Sequence, residues 1–254
     1  MMSQKWSKLI KSLHLKKYRK AEQLFFVEGE KAVLEVLAAH WPVKALFGTP
    51  EFFDRYPHAG AAAELCQPCS ASELEQVGTF SSNNAALAVV AMPVQPPFAE
   101  ASSSGYTLVL DTINDPGNLG TIIRIADWYG IRHLLCSAET VDVFNPKVIA
   151  AAKGSFLRVQ LHYGDLSQWL SQTKRPVYGT FLAGTSVHQL PHSSTGDSSG
   201  YIVLGNEANG ISAAVAAYVS QRITIPAFGQ AESLNVGIAA AVVVDNLTRL
   251  SARR

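Results

Sequence analysis

The sequence predicts an α/β protein, in which a small α/β domain precedes a larger domain built on a mostly parallel sheet. After residue 106, short apolar strands alternate with helices, which is typical of a parallel sheet covered by helices on both faces. Residues 93–105 are rich in Pro and Ser and lack a hydrophobic period, which indicates a linker. The chain is 48% hydrophobic, enough for two cores, so we expect domains at residues 1–98 and 106–254.

The first domain is predicted to mix short helices and strands. Apolar residues from Trp6 to Leu13 recur with the spacing of one helix face, which predicts an amphipathic helix over residues 3–14. Other apolar runs and periodic segments predict strands at residues 24–27, 43–47 and 85–90, and helices at residues 32–37 and 71–77.

The second domain is predicted to alternate strands with helices. We expect strands at residues 107–111, 133–136, 158–161, 177–182, 201–204 and 222–225. Helices are expected at residues 119–129, 146–152, 166–172, 212–218 and 234–250. Ligands of such sheets bind beyond the carboxyl ends of the strands, so the residues that follow each strand are the first candidates for a site.

Charge is distributed unevenly along the chain. The net charge is only +1, yet the first twenty residues contain seven Lys or Arg residues and no acidic residue. This excess indicates a contact with a polyanion, although a solvated helix face has the same composition. The residues that we predict to contact the polyanion are Lys16, Lys17, Arg19 and Lys20.

Cysteine content and hydropathy argue against several classes of protein. Cys66 and Cys69 form a CxxC pair, but no second pair completes a zinc site, so we expect no metal. Three cysteines cannot form a disulfide framework, and the sequence shows no signal peptide. The longest apolar run, residues 236–244, is too short to cross a membrane. We therefore expect a soluble, cytoplasmic protein.

The first candidate site segment follows the strand at residues 107–111. A turn begins at Asp115, Asn118 occupies a position suited to an N-cap, and Arg124 follows in the second helical turn. A turn, a cap and a surface arginine would explain these residues without any function. Too few glycines are present for the GxGxxG fingerprint of dinucleotide-binding proteins, and no P-loop motif occurs in the chain.

Two further segments follow later strands. The strand at residues 201–204 ends in a loop with two glycines, which allow close approach of a ligand, and this loop contains Glu207. The strand at residues 222–225 leads to Pro226 and then to a helix of small residues for which Ser233 is the predicted N-cap. A loop and a capped packing helix are the structural alternatives for these segments.

Taken together, the three segments resemble the signature motifs of the SpoU (TrmH-like) family of RNA 2′-O-ribose methyltransferases. The resemblance covers residues 106–250, and residues 4–92 look like the RNA-binding domain that often precedes them. One departure is Ala208, where the family usually has glycine, and another is the segment at residues 81–84. The resemblance implies S-adenosylmethionine as cofactor, a deep trefoil knot in the C-terminal domain and a homodimer.

The resemblance also assigns roles to residues. The catalytic centre would contain Asn118, Arg124, Glu207, Ser233 and Asn235. The cofactor would contact Leu182, Ala183, Leu204, Gly205, Asn206, Ile225, Pro226 and Leu234. A guanidinium stays protonated in proteins, so Arg124 is better suited to clamp a phosphate than to act as a base, and the base remains unassigned.

The expected substrate is RNA, with ribosomal RNA favoured over transfer RNA. The main alternative is a non-catalytic RNA-binding or ribosome-assembly factor that retains the knotted fold, and the intact signature residues argue against it. A Rossmann oxidoreductase is disfavoured because its glycine fingerprint is missing.

Overall fold

Two sheets organise the chain in the computed structural model, which describes residues 1–94, 96–100, 105–190 and 199–252. One unit comprises Met1–Val94 and Asp142–Leu157, and the other comprises Gln95–Val141 and Arg158–Arg254. The segment Asp142–Leu157, which sequence analysis counts with the second domain, therefore groups with the first unit. Of the predicted linker at residues 93–105, positions 95 and 101–104 lie outside the described residues.

The first 94 residues form five α-helices, one short 3-10 helix (Ala59–Ala62) and four strands. The helices are α1 (Gln4–Ser12), α2 (Lys16–Glu22), α3 (Glu30–Ala38), α4 (Pro50–Arg55) and α5 (Ala71–Val77). The strands are β1 (Leu24–Glu28), β2 (Val43–Gly48), β3 (Cys66–Pro68) and β4 (Ala86–Ala91), in the sheet order β1-β4-β2-β3. The sequence did not predict α2, α4 or β3, which are short and carry no clear hydrophobic period.

The rest of the described chain contributes β5 (Tyr106–Leu110), β6 (His133–Cys136), β7 (Gln160–Tyr163), β8 (Val177–Ser186), β9 (Gly200–Leu204) and β10 (Gln221–Thr224). Its helices are α6 (Pro116–Trp128), α7 (Pro146–Ala152), α8 (Leu166–Gln172), α9 (Ala213–Ala216) and α10 (Val236–Ala252). These elements agree with the predicted ones in order and type, and their bounds differ by a few residues.

Burial explains why residues 142–157 belong to the first unit. The Phe25 ring packs against those of Phe144 and Phe156, with ring centroids 4.6 and 6.2 Å away, and Trp41 packs edge-on against Phe156 at 5.9 Å. Phe25 is fully buried. Aromatic side chains bury large apolar areas, so this cluster joins the inserted segment to the core around β1.

In the second unit, all strand pairs are parallel and the sheet order is β10-β8-β9-β5-β6-β7. The central strands β5 and β9 are buried along their whole length, as expected for a sheet covered on both faces. The chain leaves β5 toward β6 and β7 and later returns on the other side through β8 and β9. Parallel sheets bind ligands where the strand order reverses in this way, beyond the carboxyl ends of the strands.

The predicted α/β fold class, with a parallel sheet preceded by a small α/β domain, is confirmed by this architecture. Among the helices that the structure describes, none is both long and apolar enough to span a bilayer.

Candidate active site

The three segments singled out in the sequence meet beyond the carboxyl ends of β5, β9 and β10. Nδ2 of Asn118, in α6, donates a hydrogen bond to Oε1 of Glu207, in the loop after β9. Nδ2 of Asn235, at the start of α10, donates in turn to Oδ1 of Asn118 at 2.8 Å. One chain of hydrogen bonds, Asn235 to Asn118 to Glu207, therefore connects all three segments.

The start of α6 explains how Asn118 is free to make these bonds. The N-cap is Asp115, whose carboxylate accepts a hydrogen bond from the Asn118 backbone N–H at 2.8 Å, and Pro116 is the first residue of the helix. The prediction that Asn118 is the cap was wrong. Because Asp115 caps the helix, the Asn118 side chain can point outward from the first turn.

The loop after β9 is held in a tight turn by Asn206. Its backbone exchanges two hydrogen bonds with Gly210, and its Oδ1 accepts from the N–H groups of Ala208 and Asn209. A Cβ on Gly205 would lie only 2.3 Å from the carbonyl carbon of Gly210, so the close approach requires glycine. Ala208 is exposed, so its methyl group fits although the family usually has glycine there.

Asn235 also begins α10. Its Oδ1 accepts hydrogen bonds from the N–H groups of Gly237 at 2.9 Å and of Ile238 at 3.4 Å. These are the bonds of an N-cap residue, so the prediction that Ser233 caps this helix was wrong. The cap and the bond to Asn118 together fix the Asn235 side chain at both ends.

A cleft of about 1020 Å³ lies beside this chain of hydrogen bonds, between the ends of β8, β9 and β10. All eight residues predicted to contact a cofactor line it: Leu182, Ala183, Leu204, Gly205, Asn206, Ile225, Pro226 and Leu234. Glu207 and Ser233 line it as well, whereas Asn118, Arg124 and Asn235 are not among the residues that line it. The structure thus gathers the predicted cofactor residues around one cavity.

Sequence reasoning missed part of the cleft wall. Arg222, Phe181 and Phe228 also line the cleft, and the Arg222 guanidinium lies over the Phe181 ring, 4.0 Å from its centroid. Phe228 is 97% exposed, so its ring is available to a ligand. Phe181 lies inside β8, and inside the strand predicted at residues 177–182, so a rule that inspects only the residues after each strand passes over it.

Arg124 lies in the third turn of α6 and is exposed to solvent. Over the described ranges, no hydrogen bond or ion pair reaches its guanidinium. A guanidinium with unused donors is suited to bind an anion from outside the chain.

The family model for the SpoU rRNA methylase family matches residues 105–245, which include every segment of the site. The chain belongs to the SpoU rRNA methylase family. A second model, the MRM3-like substrate binding domain, matches residues 7–88. The family resemblance predicted from the three segments is thereby confirmed.

Three of the proteins similar to this SpoU family chain match it over nearly their whole length. The 23S rRNA (guanosine(2553)-2′-O)-methyltransferase RlmP of Bacillus subtilis is 32% identical over 93% of both chains. A solved structure from Porphyromonas gingivalis, assigned to the TrmH family of RNA methyltransferases, has a TM-score of 0.86 and 37% identity, and covers 98% of this chain and 99% of its own. The AdoMet-bound rRNA methyltransferase of Sinorhizobium meliloti has the same fold, with a TM-score of 0.84 at 24% identity, and covers 98% and 97%.

The basic N-terminal residues of this SpoU family member divide into two groups. Lys16, Lys17 and Lys20 are exposed, and Nζ of Lys17 lies 4.6 Å from the centroid of the Tyr18 ring. Arg19 is only 2% exposed, and its guanidinium is paired with Asp142 at 2.7 Å.

Arg19 also donates hydrogen bonds to the carbonyl oxygens of Leu13 and His14, at 2.8 and 2.9 Å. Together with the pair to Asp142, these bonds engage the donors of the Arg19 guanidinium within the first unit. The prediction that Arg19 contacts RNA phosphates is therefore corrected: it is a buried structural residue.

The CxxC pair is not arranged as a metal site. Cys66 is exposed and Cys69 is buried. Partial desolvation raises the pKa of the Cys66 thiol, and burial raises that of the Cys69 thiol to about 11, so both are protonated at neutral pH. In the part of the chain that the structure describes, no three His, Cys, Asp or Glu side chains group as metal ligands.

Proposed function

We propose that this protein transfers a methyl group from S-adenosylmethionine to a ribose 2′-hydroxyl of ribosomal RNA. The observation that carries the proposal is the hydrogen-bonded chain Asn235–Asn118–Glu207 beside the cleft. Membership of the SpoU rRNA methylase family and the similarity to RlmP over 93% of both chains support this reaction and favour ribosomal over transfer RNA.

The cleft fits the proposed cofactor in size and lining. Its volume of about 1020 Å³ is at the upper end of the range usual for small-molecule sites. Ile225, Pro226 and Leu234 offer apolar surface for the adenosine, and the backbone around Gly205 can approach the ligand closely. When bound, S-adenosylmethionine supplies an electrophilic methyl group on a sulfonium.

The chain's own residues would orient the ribose. Oε1 of Glu207 is occupied by Asn118, and among the described residues no donor reaches its second oxygen, Oε2. Oε2 can therefore accept a hydrogen bond from the 2′-hydroxyl and hold its oxygen in line for transfer. Ser233 lines the same cleft, and its hydroxyl offers a further donor and acceptor.

Arg124 would bind the phosphate next to the target ribose through charge-assisted hydrogen bonds. Since a guanidinium does not lose its proton in proteins, this role is one of orientation, and the base stays unassigned.

The first unit would bind RNA and the second would carry out methylation. Exposed Lys16, Lys17 and Lys20 support phosphate contacts, and the aromatic ring of Tyr18 beside them can stack on an unpaired base. Over the described residues the cysteines are free thiols, which supports a reducing compartment and hence the cytoplasm.

A homodimer and a trefoil knot in the second unit complete the proposal. Trp128 on α6 is 84% exposed and Ile238 on α10 is 54% exposed, and these two helices pack against each other. Exposed large apolar side chains on neighbouring helices favour an interface with a second copy. The non-sequential strand order of the sheet is compatible with a knot.

The test uses the purified full-length chain, radiolabelled S-adenosylmethionine, and ribosomal and transfer RNA from a strain that lacks the gene. We expect 2′-O-methylation of ribosomal RNA and, by calorimetry, binding of S-adenosylmethionine but not of nicotinamide cofactors. Binding of RNA without methylation of any RNA would instead indicate a non-catalytic assembly factor. Light scattering at micromolar concentration measures the oligomeric state.

A further inference from the structure

The end of β5 contains two neighbouring residues that neither the family motifs nor the proposed reaction uses. Asp111 follows β5 and is only 4% exposed, which is unusual for a carboxylate. The next residue, Thr112, has a φ of 62°, a left-handed conformation that a β-branched residue rarely adopts. A buried charge beside a strained backbone requires compensating interactions.

Both residues hold the loop that contains Glu207. Nδ2 of Asn206, at the start of this loop, donates to the Thr112 carbonyl oxygen at 2.9 Å. At the other end of the loop, the backbone N–H of Ser212 donates to Oδ2 of Asp111 at 2.7 Å. Residues 206–212 are thus attached at both ends to two consecutive residues of the central strand's end.

The attachment is itself well supported. The Thr112 N–H donates to Oγ of Ser137 at 3.0 Å, and its Oγ1 donates to Oδ1 of Asp111 at 3.3 Å. Asp111 therefore accepts a hydrogen bond on each carboxylate oxygen, from Thr112 and from Ser212. The bonds of Thr112 to Ser137 and to Asp111 hold these two residues in place independently of the loop.

The side chain of Asn206 uses three of its four hydrogen-bonding positions within this chain, and only the second hydrogen of Nδ2 is left. Its Oδ1 already accepts from the N–H groups of Ala208 and Asn209, and its Nδ2 donates to Thr112. The side chain therefore shapes the loop, although Asn206 borders the cleft.

We propose that Asp111 and Asn206 are positioning residues for methyl transfer, which hold the loop at residues 206–212 on the end of β5 so that Glu207 meets Asn118. This inference rests on the proposed function. It implies that the placement of the Glu207 carboxylate depends on a strand to which Glu207 does not belong. A small displacement of the Glu207 carboxylate should lower kcat more than it lowers the affinity for RNA.

The first variant is Asn206→Asp, which keeps the size and the acceptor oxygen but replaces the donor to Thr112 with a second oxygen. Two oxygens then face each other and the loop must move. We expect kcat to fall about tenfold, the effect of one lost hydrogen bond of about 1.4 kcal/mol, with KM for RNA within about twofold of the wild-type value. Asn145→Asp is the matched control, because the Asn145 oxygen caps α7 and an aspartate keeps that bond.

The second pair of variants tests Asp111. Asp111→Ala removes both acceptors, and we expect kcat to fall at least about tenfold. Asp111→Asn keeps an oxygen for the Ser212 N–H, and the Thr112 hydroxyl can reverse to accept from the new amide, so kcat should return to within about threefold of wild type. Thermal melting and circular dichroism show whether each variant is folded.

Unchanged kcat in folded Asn206→Asp would overturn the inference. So would an Asp111→Asn variant that loses as much activity as Asp111→Ala, because rescue by the amide would then fail. If Asp111→Ala does not fold, the isosteric Asn206→Asp and Asp111→Asn variants decide the question. A wild-type protein that methylates no RNA refutes the proposed function and this inference with it, whereas an active wild type with insensitive variants refutes only the inference.

Discussion

The side-chain amide of Asn235 donates to Oδ1 of Asn118 at 2.8 Å, although 117 residues of sequence separate the two. The oxygen of the same Asn235 side chain caps α10 through Gly237. The oxygen of the Asn235 side chain thus stabilises the helix, and its nitrogen orients Asn118. A substitution by a side chain of the same shape can separate these two roles.

The variant Asn235→Asp should keep stability and lose activity. A carboxylate is a good N-cap, but it has no donor for Asn118, and flipping the Asn118 amide to compensate would remove the donor to Glu207. We expect kcat about tenfold lower and an unchanged melting temperature. Asn235→Ala should lose activity and also about 1 kcal/mol of stability, because the cap is gone. Equal melting temperatures for the two variants would contradict this division.

The variant Arg124→Ala should abolish methylation while S-adenosylmethionine still binds, because Arg124 does not line the cleft. Calorimetry and a methylation assay on the same preparation measure the two effects. Arg132→Ala is the control for the change in charge, since Arg132 is also exposed in the second unit but lies before β6. A parallel loss of cofactor affinity in Arg124→Ala would refute the phosphate-clamp role.

The triple variant Lys16→Ala, Lys17→Ala and Lys20→Ala should bind RNA more weakly and with a smaller dependence on salt. Each phosphate contact that is lost should reduce the slope of log K against log salt by about 0.7 to 0.9. Filter binding at several salt concentrations measures this slope, and S-adenosylmethionine affinity should not change.

Arg19→Ala is the contrasting variant, because Arg19 is buried and paired with Asp142. Removing one partner of a buried pair costs about 3–5 kcal/mol, so this variant should melt at a much lower temperature. The triple lysine variant should melt normally. An RNA-affinity loss in folded Arg19→Ala equal to that of the lysine variant would contradict the buried structural role.

Substitution of Thr112 by Asn should stabilise the protein. Asn adopts the left-handed region several times more readily than a β-branched residue, so the strain at a φ of 62° falls by about 1 kcal/mol. The melting temperature should rise by about 2–4 °C for a chain of this length. A lower melting temperature would mean that the Thr112 hydroxyl bond to Asp111 outweighs the strain.

The stability of the second unit should fall below about pH 6.5 in part because of His162. Burial, and then the neighbouring His133, hold the pKa of His162 below its usual range. As the pH falls, His162 therefore takes up a proton at a higher pH in the unfolded chain than in the folded chain. The stabilisation of the folded state that results is complete above about pH 6.5 and is lost as the pH falls toward the folded pKa.

Denaturant titrations at pH 7.5 and pH 5.5 measure the effect. His162→Phe keeps an aromatic ring beside Phe98 but cannot titrate, so its stability should depend less on pH over this interval. His58→Gln, a change at an exposed histidine, should behave like the wild type. An identical pH dependence in His162→Phe would show that other groups dominate.

The sequence predicted the parallel sheet and the segments of the site because both depend on local patterns. Apolar runs mark β5 and β9, and Glu207 lies three residues after the end of β9. The roles of the site residues stay predictions, since geometry alone places them together without assigning chemistry.

Tertiary contacts explain what the sequence did not predict. Asn118 and Asp115 both suit an N-cap, and only the folded helix start decides between them. Arg19 has the same kinds of neighbour in the sequence as Lys17, namely Tyr18 and a lysine. Arg19 is nevertheless buried and paired with the carboxylate of Asp142, which is more than 100 residues away in the sequence. The same holds for residues 142–157, whose apolar pattern cannot reveal which unit will cover it.

The insertion of residues 142–157 into the first unit also affects the order in which the chain can fold during synthesis. A domain near the N-terminus commonly folds as soon as it leaves the ribosome. Here the core around Phe25 lacks Phe144 and Phe156 until about 60 further residues have been made, a delay of about 3–12 s at usual rates of translation. During that interval β5 and β6 also emerge, so both units must remain unfinished together on the ribosome.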